Sequence, residues 1–102
     1  MAYKIQPFAE SDLEESVDWY ALQQPGLEVS FLFEIRQTIQ RINQNPYAYA
    51  VRYKRKGFEV RFALLDRFPF FVAYFVDEAR QLIIIFAIWH TARNPKVLMI
   101  RI

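Results

Sequence analysis

The chain has 102 residues, of which 54% are hydrophobic and 18% aromatic, with a formal net charge of +2 and no cysteine. That length supports one hydrophobic core, so residues 1–102 form a single domain, and the composition excludes a disordered chain. The lack of cysteine excludes disulfides, thiolate nucleophiles and thiolate metal sites, and it fits a reducing cytoplasm.

The small net charge conceals an asymmetry. Residues 1–34 carry one base and seven acids, whereas residues 35–102 carry twelve bases and four acids. Separation of this kind suggests a face for a polyanion or an acidic partner. Helices solvated by Glu and strands solvated by Arg would give the same pattern. The longest apolar runs, residues 68–76 and 82–89, are too short to span a bilayer. The first residues lack the apolar core of a signal peptide, so a cytoplasmic protein without membrane contact is expected.

Taken in chain order, residues 2–6 alternate loosely and predict a first strand ended by Pro7. Residues 8–24 predict a helix. Leu13, Val17 and Tyr20 make its apolar stripe, and Glu10, Asp12, Glu14, Glu15 and Asp18 cover the rest. Ser11 and Glu14 have capping-box spacing. Pro25-Gly26 breaks this helix. Leu27, Phe31, Ile35, Ile39 and Ile42 then mark a second amphipathic helix that stops before Pro46. The two form a helical hairpin that needs a sheet to cover its stripes.

Residues 47–57 are expected to be a connector in which Arg52, Lys54, Arg55 and Lys56 mingle with three tyrosines. Bases interleaved with aromatics suit phosphate and base contacts, and equally suit a solvated loop anchored by tyrosines. Three strands follow, at residues 58–65, 68–76 and 81–89, joined by turns at Asp66-Arg67 and at residues 77–80. Residues 97–102 are either a closing edge strand or a tail packing on a neighbour. The expected fold is α+β, in the order β-α-α-β-β-β, with the helical hairpin on a small, mainly antiparallel sheet.

No nucleotide-binding, zinc-protease or nucleophile-elbow motif occurs, and one histidine without cysteine excludes a usual transition-metal site. No metal and no cofactor is expected. The residues able to carry chemistry are Arg61 on a strand, His90 and Arg93 after a strand, and the basic connector. Such a set either binds a polyanion or cleaves RNA without metal, with a base, cations for the phosphorane and an acid. His90 also fits a purely structural cap at the sheet's end. Arg61 equally fits an ion pair with Glu59, Asp66 or an acid of a helix.

Three segments carry a resemblance. A-E-S-D-L-E-E-S-V-D-W-Y at residues 9–20, V-R-F-A-L-L-D-R-F-P-F-F-V-A-Y-F-V-D at 60–77 and I-I-I-F-A-I-W-H-T-A-R-N-P at 83–95 occur in that order. Together they resemble the RelE/ParE superfamily of type II toxin–antitoxin toxins, on the ParE-like, plasmid-stabilisation side. The resemblance implies a small cytoplasmic toxin held inactive by a cognate antitoxin protein, as a toxin–antitoxin hetero-oligomer or a homodimer. On the ParE side it implies inhibition of DNA gyrase by binding, with Arg52, Lys54, Arg55, Lys56, Arg61, Arg67 and Arg93 as the target-binding or polyanion-binding cations. On the RelE side it implies ribosome-dependent mRNA cleavage, with Arg61, His90 and Arg93 as catalytic residues helped by Lys54. A third reading is a degenerate member that only binds a partner.

Overall fold

The computed structural model describes residues 1–102. Five strands form one mixed sheet in the order β1-β5-β4-β3-β2, where β1 is Ala2–Ile5, β2 Val51–Arg55, β3 Phe58–Leu64, β4 Phe70–Asp77 and β5 Leu82–His90. Helices α1, Pro7–Gln23, and α2, Leu27–Gln44, pack as a hairpin on one face. Only β1 pairs in parallel, with β5; every other pairing is antiparallel. The fold is α+β and mainly antiparallel, as expected.

Both helical stripes do what their spacing requires. Tyr20, Phe31, Ile35, Ile39 and Ile42 are buried, and Leu13, Val17 and Leu27 pack against them. Against these lie Ala63 and Leu65, Val72 and Tyr74, and Ile83, Ile85 and Ile88. Pro7 opens α1, where a missing N–H costs nothing, and the Gln6 side chain makes no cap bond. The Ser11–Glu14 capping box therefore does not set the start. Gly26, at φ 97°, makes the sharp entry to α2, and its N–H donates to the Glu28 carboxylate at 2.6 Å.

Two expectations need correction. Residues 47–57 are not all connector, because Val51–Arg55 is strand β2, antiparallel to β3. The bases hid it, yet an edge strand has one side in water and keeps charges there to block further pairing. Lys56 and Gly57, both at positive φ, form the two-residue turn into β3. The tail is not an edge strand either. Pro95–Arg101 is a 3-10 helix whose start is capped by Asn94 Oδ1, which accepts the Lys96 N–H at 3.0 Å.

That tail lies over the second face of the sheet, away from α1 and α2. Its Leu98 is fully buried there among Val60, Phe62, Phe71, Phe75, Phe86 and Trp89, with Met99 and Ile102 beside it. The sheet is thus apolar on both faces, which is why β4 and β5 read as near-continuous apolar runs.

Tyr74 sits at the centre of the helix-side core, with its hydroxyl donating to the buried Pro46 carbonyl at 2.6 Å. Burial pushes its phenol well above the ordinary value, and the nearby Arg61 opposes this only in part. A raised folded-state pKa favours the neutral phenol. Its stabilisation is therefore complete below the unfolded value, about pH 10, and is lost as pH climbs above it. Tyr74→Phe should cost about 1–3 kcal/mol at neutral pH, because the Pro46 carbonyl loses its partner. It should also flatten the alkaline loss of stability. Urea titrations of both proteins between neutral and strongly alkaline pH test this, and parallel alkaline slopes would contradict it.

Candidate functional site

The sheet face away from the helices carries an aromatic row across three strands. Phe62 on β3 stacks on Phe71 on β4, with centroids 4.1 Å apart, and Phe71 is registered opposite Trp89 on β5. The period-two alternation of the strands puts all three rings on one side. Each end of the row is closed by a guanidinium. Arg52 lies 5.0 Å from the Phe62 centroid, and Arg93 lies 3.5 Å from that of Trp89. A register shift in β2 between Val51 and Tyr53 turns Arg52 and Tyr53 toward Phe62 together.

Arg52 and Arg93 are exposed and take part in none of the ion pairs, which use Arg41, Arg61, Arg67, Arg80 and Arg101. They are held by their rings and remain free to meet an anion. Beneath Arg93, the Trp89 indole N–H is the one buried side-chain donor with no partner in the protein.

Arg61 is placed differently. It lies on β3 on the helix side, opposite Tyr74. Its Nη1 donates to the carbonyls of Tyr47 and Tyr49, its Nη2 lies 3.3 Å from Glu59, and its side chain is 11% exposed. This arginine ties the chain after α2 to the sheet. With Lys54, Tyr47, Glu59, Asp77 and Glu78 it lines a groove of about 500 Å³ in which three acids face two bases.

His90 ends β5 opposite Phe70, whose ring it meets edge-on at 5.1 Å. Its Nδ1 accepts the Ala92 N–H at 3.0 Å, so the ring caps the turn that follows the strand. His90 and Arg93 share a groove of about 420 Å³ with Glu15, Trp19 and Phe70. Register puts Arg61 four residues along β4 and two strands across from His90, about 16 Å away.

Of the remaining cations, Lys54, Arg55 and Lys56 are exposed at the β2–β3 hairpin, and Arg67 Nε lies 3.7 Å from the Glu34 carboxylate. No three His, Asp or Glu side chains gather where they could hold a metal ion. Sequence reasoning missed Asp12, Glu34 and Arg101. Asp12 had been read as a solvated acid, yet it is buried against Arg101. The only sequence signal was its place one residue before Leu13 of the apolar stripe.

Comparison with known proteins now decides the family. A family model described as the ParE toxin of the type II toxin–antitoxin system parDE matches residues 3–95. The chain belongs to the ParE toxin family. No curated protein matches it. Among solved structures it is similar to the chromosomal ParDE toxin–antitoxin system from P. aeruginosa, at 25% identity and a TM-score of 0.73. That likeness covers 88% of this chain and 95% of the other. The family match begins in β1 and ends at Pro95, so it takes in the sheet, both helices and the aromatic row of this ParE toxin. No helix is long and apolar enough to cross a membrane.

Proposed function

We propose that this ParE-family chain is a toxin that binds and inhibits an essential target of the DNA gyrase type, and that a cognate antitoxin neutralises it in a hetero-oligomer. The observation that carries the binding reading is the separation of Arg61 from His90 and Arg93, which share one groove with Glu15. Metal-free RNA cleavage needs a base, an acid and a cation around one phosphate. Here Arg61 is committed to two backbone carbonyls and Glu59, and His90 uses Nδ1 on the Ala92 amide. About 16 Å separates them, so they do not share a phosphate. Arg52 and Arg93, which are ordered and unpaired, form a binding surface.

Induction of the chain without its antitoxin tests the reading. Growth should arrest, and mapping of RNA 5′ ends should show no new codon-localised breaks. Breaks that disappear in Arg61→Ala and His90→Ala would establish the nuclease alternative. Growth unaffected across several hosts would mark a degenerate member that only binds a partner.

A further inference from the structure

We infer that the groove between α1 and the end of β5 binds a guanine mononucleotide, with the base on Trp19, its edge against Glu15 and His90, and its phosphate on Arg93. This goes beyond the target-binding reading above and does not depend on it.

Register builds the groove. Asp12 Oδ2 accepts the Ile88 N–H, so α1 and β5 are level at that point. Four helical residues rise about 6 Å and two strand residues about 6.6 Å, which brings Ser16 and its neighbour Glu15 level with His90. Trp19 lies one turn beyond Glu15 on the same side of the helix. Arg93 closes the turn after β5, its N–H donating to the His90 carbonyl at 3.1 Å. Glu15, Trp19, His90 and Arg93 thus border one groove of about 420 Å³, with Tyr20 and Phe70 as further aromatic wall. Aromatic walls with a few placed polar groups, at that size, are the make-up of a small-molecule site.

The polar groups select the base. His90 Nδ1 accepts the Ala92 N–H, so in the neutral ring the proton sits on Nε2, which makes no bond within the chain. Glu15 is exposed and takes part in none of the ion pairs. An N–H donor beside a free carboxylate complements the edge of guanine. Its O6 accepts, and its N1–H and N2–H donate side by side to the two carboxylate oxygens. Adenine and cytosine offer that carboxylate one amino group and uracil one N–H, so none of them fills the fork.

The remaining groups fit the rest of a nucleotide. Trp19 is 55% exposed and is braced by Tyr20, nearly perpendicular at 5.1 Å, so it offers a ring for stacking. Tyr20 is 7% exposed, and its hydroxyl has no partner within the chain. The Arg93 guanidinium is free of acids and borders the same groove. Trp19 is also the one open platform there, since Tyr20 and Phe70 are 7% and 8% exposed. Strand binders stack successive bases on successive rings, so a single platform favours a single nucleotide.

Isothermal titration calorimetry on the full chain tests this, with GMP, AMP, CMP, UMP, guanosine and inorganic phosphate as probes. GMP should bind at least about tenfold more tightly than AMP, CMP or UMP. Trp19→Ala should weaken GMP binding about tenfold or more, and Trp19→Phe should retain most of it. Glu15→Gln should erase most of the preference for guanine over adenine. Arg93→Ala should bring GMP down to the affinity of guanosine and leave guanosine itself unchanged. Circular dichroism establishes that the variants, all at exposed positions, are folded.

No heat from GMP at millimolar concentration would overturn the inference. So would equal binding of the four nucleotides, inorganic phosphate binding as tightly as GMP, or GMP binding that ignores Trp19 and Glu15. A short single-stranded RNA with one guanine is the last probe. Binding of that RNA more than about a hundredfold tighter than GMP would assign the groove to a strand and contradict the free-nucleotide site. Growth arrest and gyrase inhibition are scored separately on the unmutated chain, so failure of the toxin reading and failure of the nucleotide site are distinguishable.

Discussion

Asp12→Ala is expected to destabilise the fold by about 3–5 kcal/mol, the largest effect of any single substitution considered. The reason lies in the unequal lengths of two paired strands. β1 ends at Ile5, while its partner β5 continues to His90. The last bond of the chain leaving β1 is Gln6 N–H to the Ile85 carbonyl, at 2.8 Å. Beyond it, the outer edge of β5 has no neighbouring strand. Asp12 and Arg101 serve it instead. Asp12 Oδ2 accepts the Ile88 N–H at 3.1 Å, and Arg101 Nη1 donates to the Phe86 carbonyl at 3.0 Å. The two side chains close on each other in a two-bond fork of 2.7 and 3.1 Å.

Removing the carboxylate leaves the Ile88 amide unpaired and strands a guanidinium between the rings of Phe8 and Trp89, which lie 5.0 and 5.1 Å from it. The side chains of Arg101 and Asp12 are only 15% and 9% exposed, so water cannot replace the lost partner. The double replacement Asp12→Leu with Arg101→Met should recover part of the loss. It removes the stranded charge, but the Ile88 N–H and Phe86 carbonyl still lack partners. Urea midpoints of the parent, single and double variants measure this. An Asp12→Ala effect below about 1 kcal/mol would mean that the pair behaves like one in water.

Glu34→Ala should follow, at about 3 kcal/mol. Glu34 is a carboxylate on α2 with a side chain only 4% exposed. Its Oε1 accepts the N–H groups of Asp66 and Arg67, at 2.7 and 2.8 Å, and so fixes the loop between β3 and β4. Two amides lose a charged acceptor in the alanine variant. Glu34→Gln keeps an acceptor oxygen at that point and should cost about half as much or less. Hydrogen exchange adds a local readout, because the amides of Asp66 and Arg67 should lose protection in Glu34→Ala. Retained protection there would show that the loop is held by its neighbours.

The helices and the three inner strands were legible because their apolar periods are long and consistent. Leu27 through Ile42 recur at helical spacing, and β3, β4 and β5 are β-branched and aromatic runs between clear turns. Edge strand β2 was obscured by its own edge chemistry, since its charges resemble those of a loop. The tail was misread because hydrophobicity alone does not separate a strand from a 3-10 turn. Asn94 and Pro95, the cap and first residue, were the cue.

The site was less legible for a different reason. Sequence identified Arg52, Arg61, His90 and Arg93 as chemistry-bearing residues, but not what already occupies them. Arg61 and Tyr49 are twelve residues apart, and Arg101 and Asp12 eighty-nine. Nothing local encodes those meetings. Arg93 was separable from Arg61 only once Trp89 lay beneath the one and backbone carbonyls around the other.

The central claim is inhibition by binding, and a supercoiling assay with purified chain and DNA gyrase tests it most directly. Relaxed plasmid, ATP and gyrase are titrated with the chain, and a ribosome-programmed translation mixture serves as the parallel arm. The account predicts loss of supercoiling at near-stoichiometric protein, with the mRNA in the parallel arm left intact. Full supercoiling at a large molar excess, together with mRNA cleavage that depends on Arg61 and His90, would contradict it.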